Sequence, residues 1–184
     1  KKITFSGENN VIIINQHAFE GCDLEGTIDL SAACVISDYA FAGNRDLVGI
    51  VTGDPLLSIS QYAFAGCRKL KDVTITSELV KYGAYAFTGC ESLESFYVNA
   101  LVLPEGMFYE CENMTSVSIG PDVNEIGEFA FTYCINLTSI TLPNGLNVIN
   151  DYTFEGCNSL RNITIPSTVK EIGLWAFSGC KDLA

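Results

Sequence analysis

Positive charge is scarce in this chain: Lys and Arg number 10 against 22 Asp and Glu, a formal net charge of −12. Nucleic acids and anionic membrane surfaces are bound through a basic footprint, so the imbalance argues against both as partners. An acidic surface serves instead to keep a protein dispersed in water. Long apolar runs are also missing. Val11-Ile12-Ile13-Ile14 is a typical stretch, far short of the roughly 18 residues that cross a bilayer, so no membrane insertion is expected. No signal peptide is visible, because the chain opens on Lys1-Lys2-Ile3-Thr4-Phe5, already strand-like.

Chemistry-bearing constellations are equally sparse. His17 is the only histidine. A Ser-His-Asp relay needs a convergent site, and a lone His in an aromatic position reads as packing or capping. There is no glycine-rich phosphate loop, and no clustered CxxC pairs to hold zinc. No paired carboxylates stand out for glycan hydrolysis. The expectation is a protein that is not an enzyme, with no catalytic residue, metal or cofactor.

What the chain does have is a period. Phe19, Phe41, Phe64, Phe87, Phe108, Phe131, Phe154 and Phe177 follow one another at steps of 22, 23, 23, 21, 23, 23 and 23. Such a period marks a solenoid, in which each repeat buries its apolar face on its neighbours. Five before each Phe stands Ile14, Ile36, Ile59, Tyr82, Leu103, Ile126, Ile149 or Ile172. Two before it comes an aromatic in most copies (Tyr39, Tyr62, Tyr85, Phe129, Tyr152, Trp175), with His17 and Gly106 as exceptions. Three after it comes Cys22, Cys67, Cys90, Cys111, Cys134, Cys157 or Cys180, and once Asn44. Six after it is usually Leu, and nine and eleven after it are paired apolar residues such as Val117/Ile119 and Ile163/Ile165.

Apolar, polar, apolar is the alternation of a strand with one buried face. It predicts one short strand per coil, all running the same way and therefore parallel. The Ala-Phe-x-x-Cys phrase has helical spacing but is too short for a free helix, so it predicts a single helical turn closing each coil. The Gly before Cys (Gly21, Gly66, Gly89, Gly156, Gly179) suits a tight, positive-φ corner. Stacked in register, the Phe, Cys, Leu and Ile/Val positions become inward ladders. Burying one such Phe or Leu is worth about 1.5–3 kcal/mol. Seven of the eight cysteines share one ladder. Side chains in a ladder point the same way, so buried free thiols are preferred over disulfides, and Cys34 is expected in the core as well. Three glycosylation sequons, at Asn113, Asn136 and Asn162, are by-products of the repeat.

The phrase Leu160-x-x-Ile163-x-Ile165-Pro166-x-x-Val169-x-x-Ile172-Gly173-x-x-Ala176-Phe177-x-x-Cys180 resembles the BspA-like leucine-rich repeat. The resemblance runs from about Ile3 to Leu183. It implies an α/β repeat solenoid: a curved array of about eight coils of 21–23 residues, with short parallel strands on the concave face. It also implies an extracellular or cell-surface role in binding a protein or glycan, and no enzyme activity. Residues 1–184 are expected to form one leucine-rich-repeat domain, a segment of a longer protein. Two coils depart from the pattern. The first is lengthened around Gly7-Glu8-Asn9-Asn10. The other shortens to 21 residues between Phe96 and Met107, and irregular coils are where function is usually sited.

The outward strand positions, eight and ten after each Phe, form a Ser/Thr-rich surface with little charge. Tyr97 is its one aromatic, and Tyr is a frequent interface anchor. Tyr97, Glu94, Thr74, Ser118, Thr141 and Thr164 are therefore the candidate binding residues. The competing reading is a structural spacer that projects other domains from the cell surface.

Overall fold

The computed structural model describes Ile3, residues 12–77 and residues 80–184. The lengthened coil around Gly7-Glu8-Asn9-Asn10 lies outside the described residues.

Every turn carries two short strands. One set comprises β2 (Gly26–Leu30), β4 (Leu47–Thr52), β6 (Asp72–Thr74), β8 (Ser95–Val98), β10 (Ser116–Ile119), β12 (Ser139–Thr141) and β14 (Asn162–Thr164). The other comprises β1 (Ile12–Ile14), β3 (Ala33–Ile36), β5 (Ser58–Ile59), β7 (Lys81–Tyr82), β9 (Val102–Leu103), β11 (Glu125–Ile126), β13 (Val148–Ile149) and β15 (Glu171–Ile172). Every strand pair is parallel. Coils are numbered here by their Phe, so that coil 5 holds β8, β9 and Phe108.

The first set is the strand that the alternation foretells. Its inward residues Ile28, Ile50, Phe96, Val117 and Ile140 are buried. The second set ends on the apolar residue five before each Phe. Most of its members have two residues, too few for a period of two to register in sequence.

Three expectations need correction. The α/β label fails, because no helix occurs among the described residues. The array winds about seven turns, not eight. Strands occupy two sides of each turn and are not confined to one face.

The absence of a helical turn has a local cause. The residue two before Phe takes a left-handed φ, as in Tyr39 (56°), Tyr62 (55°) and Trp175 (57°). The residue two after Phe does so again, as in Gly43 (74°), Gly66 (68°) and Gly156 (70°). Left-handed residues interrupt a right-handed helix. The N–H groups between them alternate in direction. Ala40 N donates back to Ser37 O (3.2 Å), while Phe41 N and Gly43 N donate to Ala63 O (2.8 Å) and Ala65 O (2.7 Å) of the next coil. The turn is thus one more ladder between coils.

Left-handed φ is costly for a non-glycine residue, and the aromatics recover part of that cost by stacking. Ring centroids lie 5.1 Å apart for His17–Tyr39, 4.9 Å for Tyr39–Tyr62 and 5.1 Å for Tyr62–Tyr85. The stack stops at Gly106, where a Cβ would collide with the Tyr85 ring.

Inside, Phe41, Phe64, Phe87, Phe108, Phe131 and Phe154 are fully buried. The ladder cysteines from Cys67 onward donate their thiol hydrogens to Phe carbonyls, among them Cys67 to Phe41 O (3.3 Å), Cys90 to Phe64 O (3.4 Å), Cys134 to Phe108 O (3.2 Å) and Cys157 to Phe131 O (3.2 Å). All eight cysteines are free thiols.

Asn44, where the cysteine pattern breaks, does the same work with more bonds. Its Nδ2 donates to Phe19 O (2.8 Å) and Phe41 O (2.7 Å), and Leu24 N donates to its Oδ1 (3.0 Å). Among the described residues no buried side-chain nitrogen or oxygen lacks a partner.

Candidate functional site at the irregular coil

Coil 5 interrupts both strand sets. The first set divides into β2-β4-β6 and β8-β10-β12-β14, and the second is broken between β7 and β9 and again between β11 and β13.

The first break follows from Phe96. It holds the inward position that Val or Ile fills in the other coils, and its ring wedges against Phe87 (5.1 Å) and Phe108 (5.0 Å) at tilts of 57° and 60°. The Phe87–Phe108 separation opens to 6.2 Å, against 5.2 Å for Phe41–Phe64 and 5.4 Å for Phe131–Phe154. The coils are spread at the point where β6 and β8 would otherwise pair.

The spread leaves a hollow of about 230 Å³ on the strand face, lined by Val73, Thr74, Ile75, Phe96 and Tyr97. Tyr97 stands 59% exposed beside it. Of the candidate residues, Tyr97 and Thr74 meet in this hollow. Ser118 lies directly opposite Tyr97 in register. Thr141 and Thr164 pair with one another farther along the same face. Glu94 is exposed at the head of β8, where its backbone carbonyl accepts from Thr115 N (2.9 Å). Tyr97, Thr74, Ser118, Thr141 and Thr164 occupy outward strand positions of the first set and Glu94 stands just before β8, but only Tyr97 and Thr74 line the hollow.

The break between β7 and β9 also has a chemical origin. Gly83 N and Gly127 N donate to Ile59 O and Leu103 O of the preceding coil, each at 2.8 Å. The corresponding residue in coil 5 is Pro104, which has no N–H. Here lies a larger hollow of about 740 Å³ lined by Val35, Leu57, Ser58, Val80, Lys81, Tyr82, Ala100, Leu101 and Val102. Sequence reasoning passed over it, though a signal was present. One residue before the strand position of the second set, coils 3 and 5 carry Leu57 and Leu101, whereas coils 6, 7 and 8 carry Asn124, Asn147 and Lys170.

His17 stacks on Tyr39, and its Nδ1 lies 2.5 Å from Glu20 Oε2, a packing and pairing role at the edge of the aromatic stack. Burial pushes the thiol of Cys67 up to about 12, and the same cause raises Cys90, Cys111, Cys134 and Cys157. Such thiols stay protonated and are poor nucleophiles.

Comparison with known proteins agrees with this architecture. The family model for the BspA type leucine-rich repeat region matches six copies, over residues 1–103 and 101–184. Among solved structures, a leucine-rich repeat protein of T. pallidum is 28% identical with a TM-score of 0.77, the match covering 86% of this chain and 78% of that one. A leucine-rich repeat protein of Eubacterium ventriosum is 25% identical with a TM-score of 0.67, covering 84% of this chain and 42% of that one. One from Bacteroides ovatus shares the fold at 23% identity and a TM-score of 0.58, covering 93% and 68%. No match was found among curated proteins. Members of this repeat family are usually not catalytic, and membership is consistent with a protein-interaction module. On the matched span and the repeat that carries it, the chain belongs to the BspA type leucine-rich repeat family.

Proposed function

We propose that this chain is a non-enzymatic recognition module of a secreted or cell-surface protein, one that takes part in adhesion by binding a protein or glycan ligand. The contact centres on Tyr97 and extends over Thr74, Glu94, Ser118, Thr141 and Thr164. The carrying observation is Tyr97 itself, a large aromatic left exposed over a hollow on a Ser/Thr-rich face.

Tyr supplies contact area at low entropic cost, and the hydroxyls around it can hydrogen-bond adaptably. The net charge of −12 favours a ligand that is neutral or basic. Residues 1–184 act in this reading as one domain within a longer surface protein.

The test is a screen of the purified chain against extracellular-matrix proteins and glycans, followed by Tyr97→Ala against the tightest ligand found. The expected loss is about 2 kcal/mol, roughly 30-fold in Kd, as for an aromatic hot spot, with no change in melting temperature. Unaltered affinity would remove Tyr97 from the contact. A screen that finds no ligand would favour the spacer reading.

A further inference from the structure

The larger hollow exists because coil 5 is short in one particular place. Positions 96 and 102 are six apart, whereas the corresponding positions 117 and 125, and 140 and 148, are eight apart. The connection between the two strand sets has therefore lost two residues. Ala100 is drawn into the core at 4% exposure, while Leu101 is left 60% exposed. Leu57 of coil 3 is 62% exposed and Val102 40% exposed on the same hollow, and buried Val80 forms part of its floor. Large apolar side chains grouped around a concavity are unlike scattered surface leucines and mark a binding surface. A volume of about 740 Å³ is that of a small-molecule site.

The charge around the hollow selects the occupant. Lys81 is the only charged residue among the described residues that line it, and Ser58 its only hydroxyl besides Tyr82. Among the described residues Lys81 forms no salt bridge. An exposed ammonium at the rim of an apolar hollow, on a chain of net charge −12, is complementary to an anion that carries a hydrocarbon tail. A second copy of this chain would bring like charge to like charge. A neutral apolar segment of another protein would make no use of the cation.

We infer that the hollow formed by Val35, Leu57, Val80, Tyr82, Ala100, Leu101 and Val102 binds an aliphatic carboxylate, with its head group on Lys81 and Ser58. The head lies on Lys81 and away from Glu125, which stands beside Val102 in register. The tail covers Leu57 and Leu101. The site lies apart from the Tyr97 hollow and shares no lining residue with it.

Decanoate, titrated below its micellar concentration into the purified chain by calorimetry, is the probe. Saturable binding at one site is expected, weakened at least fivefold by Lys81→Gln and abolished by Leu101→Gln, with Tyr97→Ala without effect. Decyltrimethylammonium should bind at least tenfold more weakly. No saturable binding of decanoate, equal binding of the cationic amphiphile, or indifference to both substitutions would each overturn the inference. Sedimentation decides the remaining alternative: self-association lost in Leu101→Gln would assign the face to a second copy and overturn it too. Both substitutions replace exposed side chains, and unchanged circular dichroism confirms that each variant is folded.

Discussion

Between pH 8 and pH 10 the protein should lose a large part of its stability, about 7 kcal/mol. The thiols of Cys67, Cys90, Cys111, Cys134 and Cys157 are fully buried, and burial raises each of them, Cys67 to about 12 from an ordinary value of 9.0. The folded state therefore holds its protons where the unfolded chain has begun to release them. Below pH 9 both states are protonated and stability does not depend on these groups. Above pH 9 the unfolded chain binds fewer protons, so stability falls as pH rises toward 12.

By pH 10 each thiol has removed about 1.4 kcal/mol, and five together about 7 kcal/mol. That is comparable with the whole stability of a typical domain, about 5–15 kcal/mol. Urea midpoints followed by far-UV circular dichroism should drop steeply over this interval, and Cys134→Ala should flatten the fall by one thiol's share. A midpoint that is the same at pH 8 and pH 10 would contradict the buried ladder.

Replacing Asn44 by Ala should cost about 3 kcal/mol. The side chain is fully buried and closes three backbone groups, Phe19 O, Phe41 O and Leu24 N. A buried backbone group left without a partner costs about 1–3 kcal/mol. Asn44→Cys separates this bonding role from simple cavity formation. Cysteine stands at the same position in other coils and reaches the Phe carbonyl of the coil before it, so it should restore the bond to Phe19 O. It carries no acceptor like Oδ1 for Leu24 N, and recovery should be partial. Urea unfolding of the three proteins gives the comparison. Equal stability of the Ala and Cys variants would mean that volume alone matters at this position.

Much of this architecture is legible in the sequence because a ladder repeats its evidence. Val117, Ile140 and Ile163 say the same thing about one strand, and the cysteines say one thing about one carbonyl. The second strand set was not legible, since a two-residue strand such as Glu125–Ile126 carries no alternation. The turn around Phe was misread as helical because Phe and Cys do stand three apart. What decides the matter is the left-handed backbone at residues like Tyr62 and Gly66, and a tyrosine gives no advance notice of positive φ.

At the candidate site the sequence singled out coil 5 by its shortened length. It located Tyr97 on the strand face, yet the hollow beside Tyr97 depends on how far the Phe96 ring spreads its neighbours, a matter of packing and not of pattern. The hollow at Leu101 depends on a missing N–H at Pro104 and on two residues absent from a connection. Both are visible in sequence only once the second strand set is known.

Central to this account is that the recurring Ala-Phe-x-x-Cys phrase belongs to the interior, leaving partners to the strand faces and the irregular coil. Thiol labelling with a small aromatic disulfide, in native buffer and then across a urea titration, tests this most directly. Cys67, Cys90, Cys111, Cys134 and Cys157 should be unreactive in the native protein and become reactive only as it unfolds, leaving Cys22, Cys34 and Cys180 as the partly accessible thiols. Rapid labelling of those five in native buffer, or fewer than eight thiols once the protein is unfolded without reductant, would contradict it.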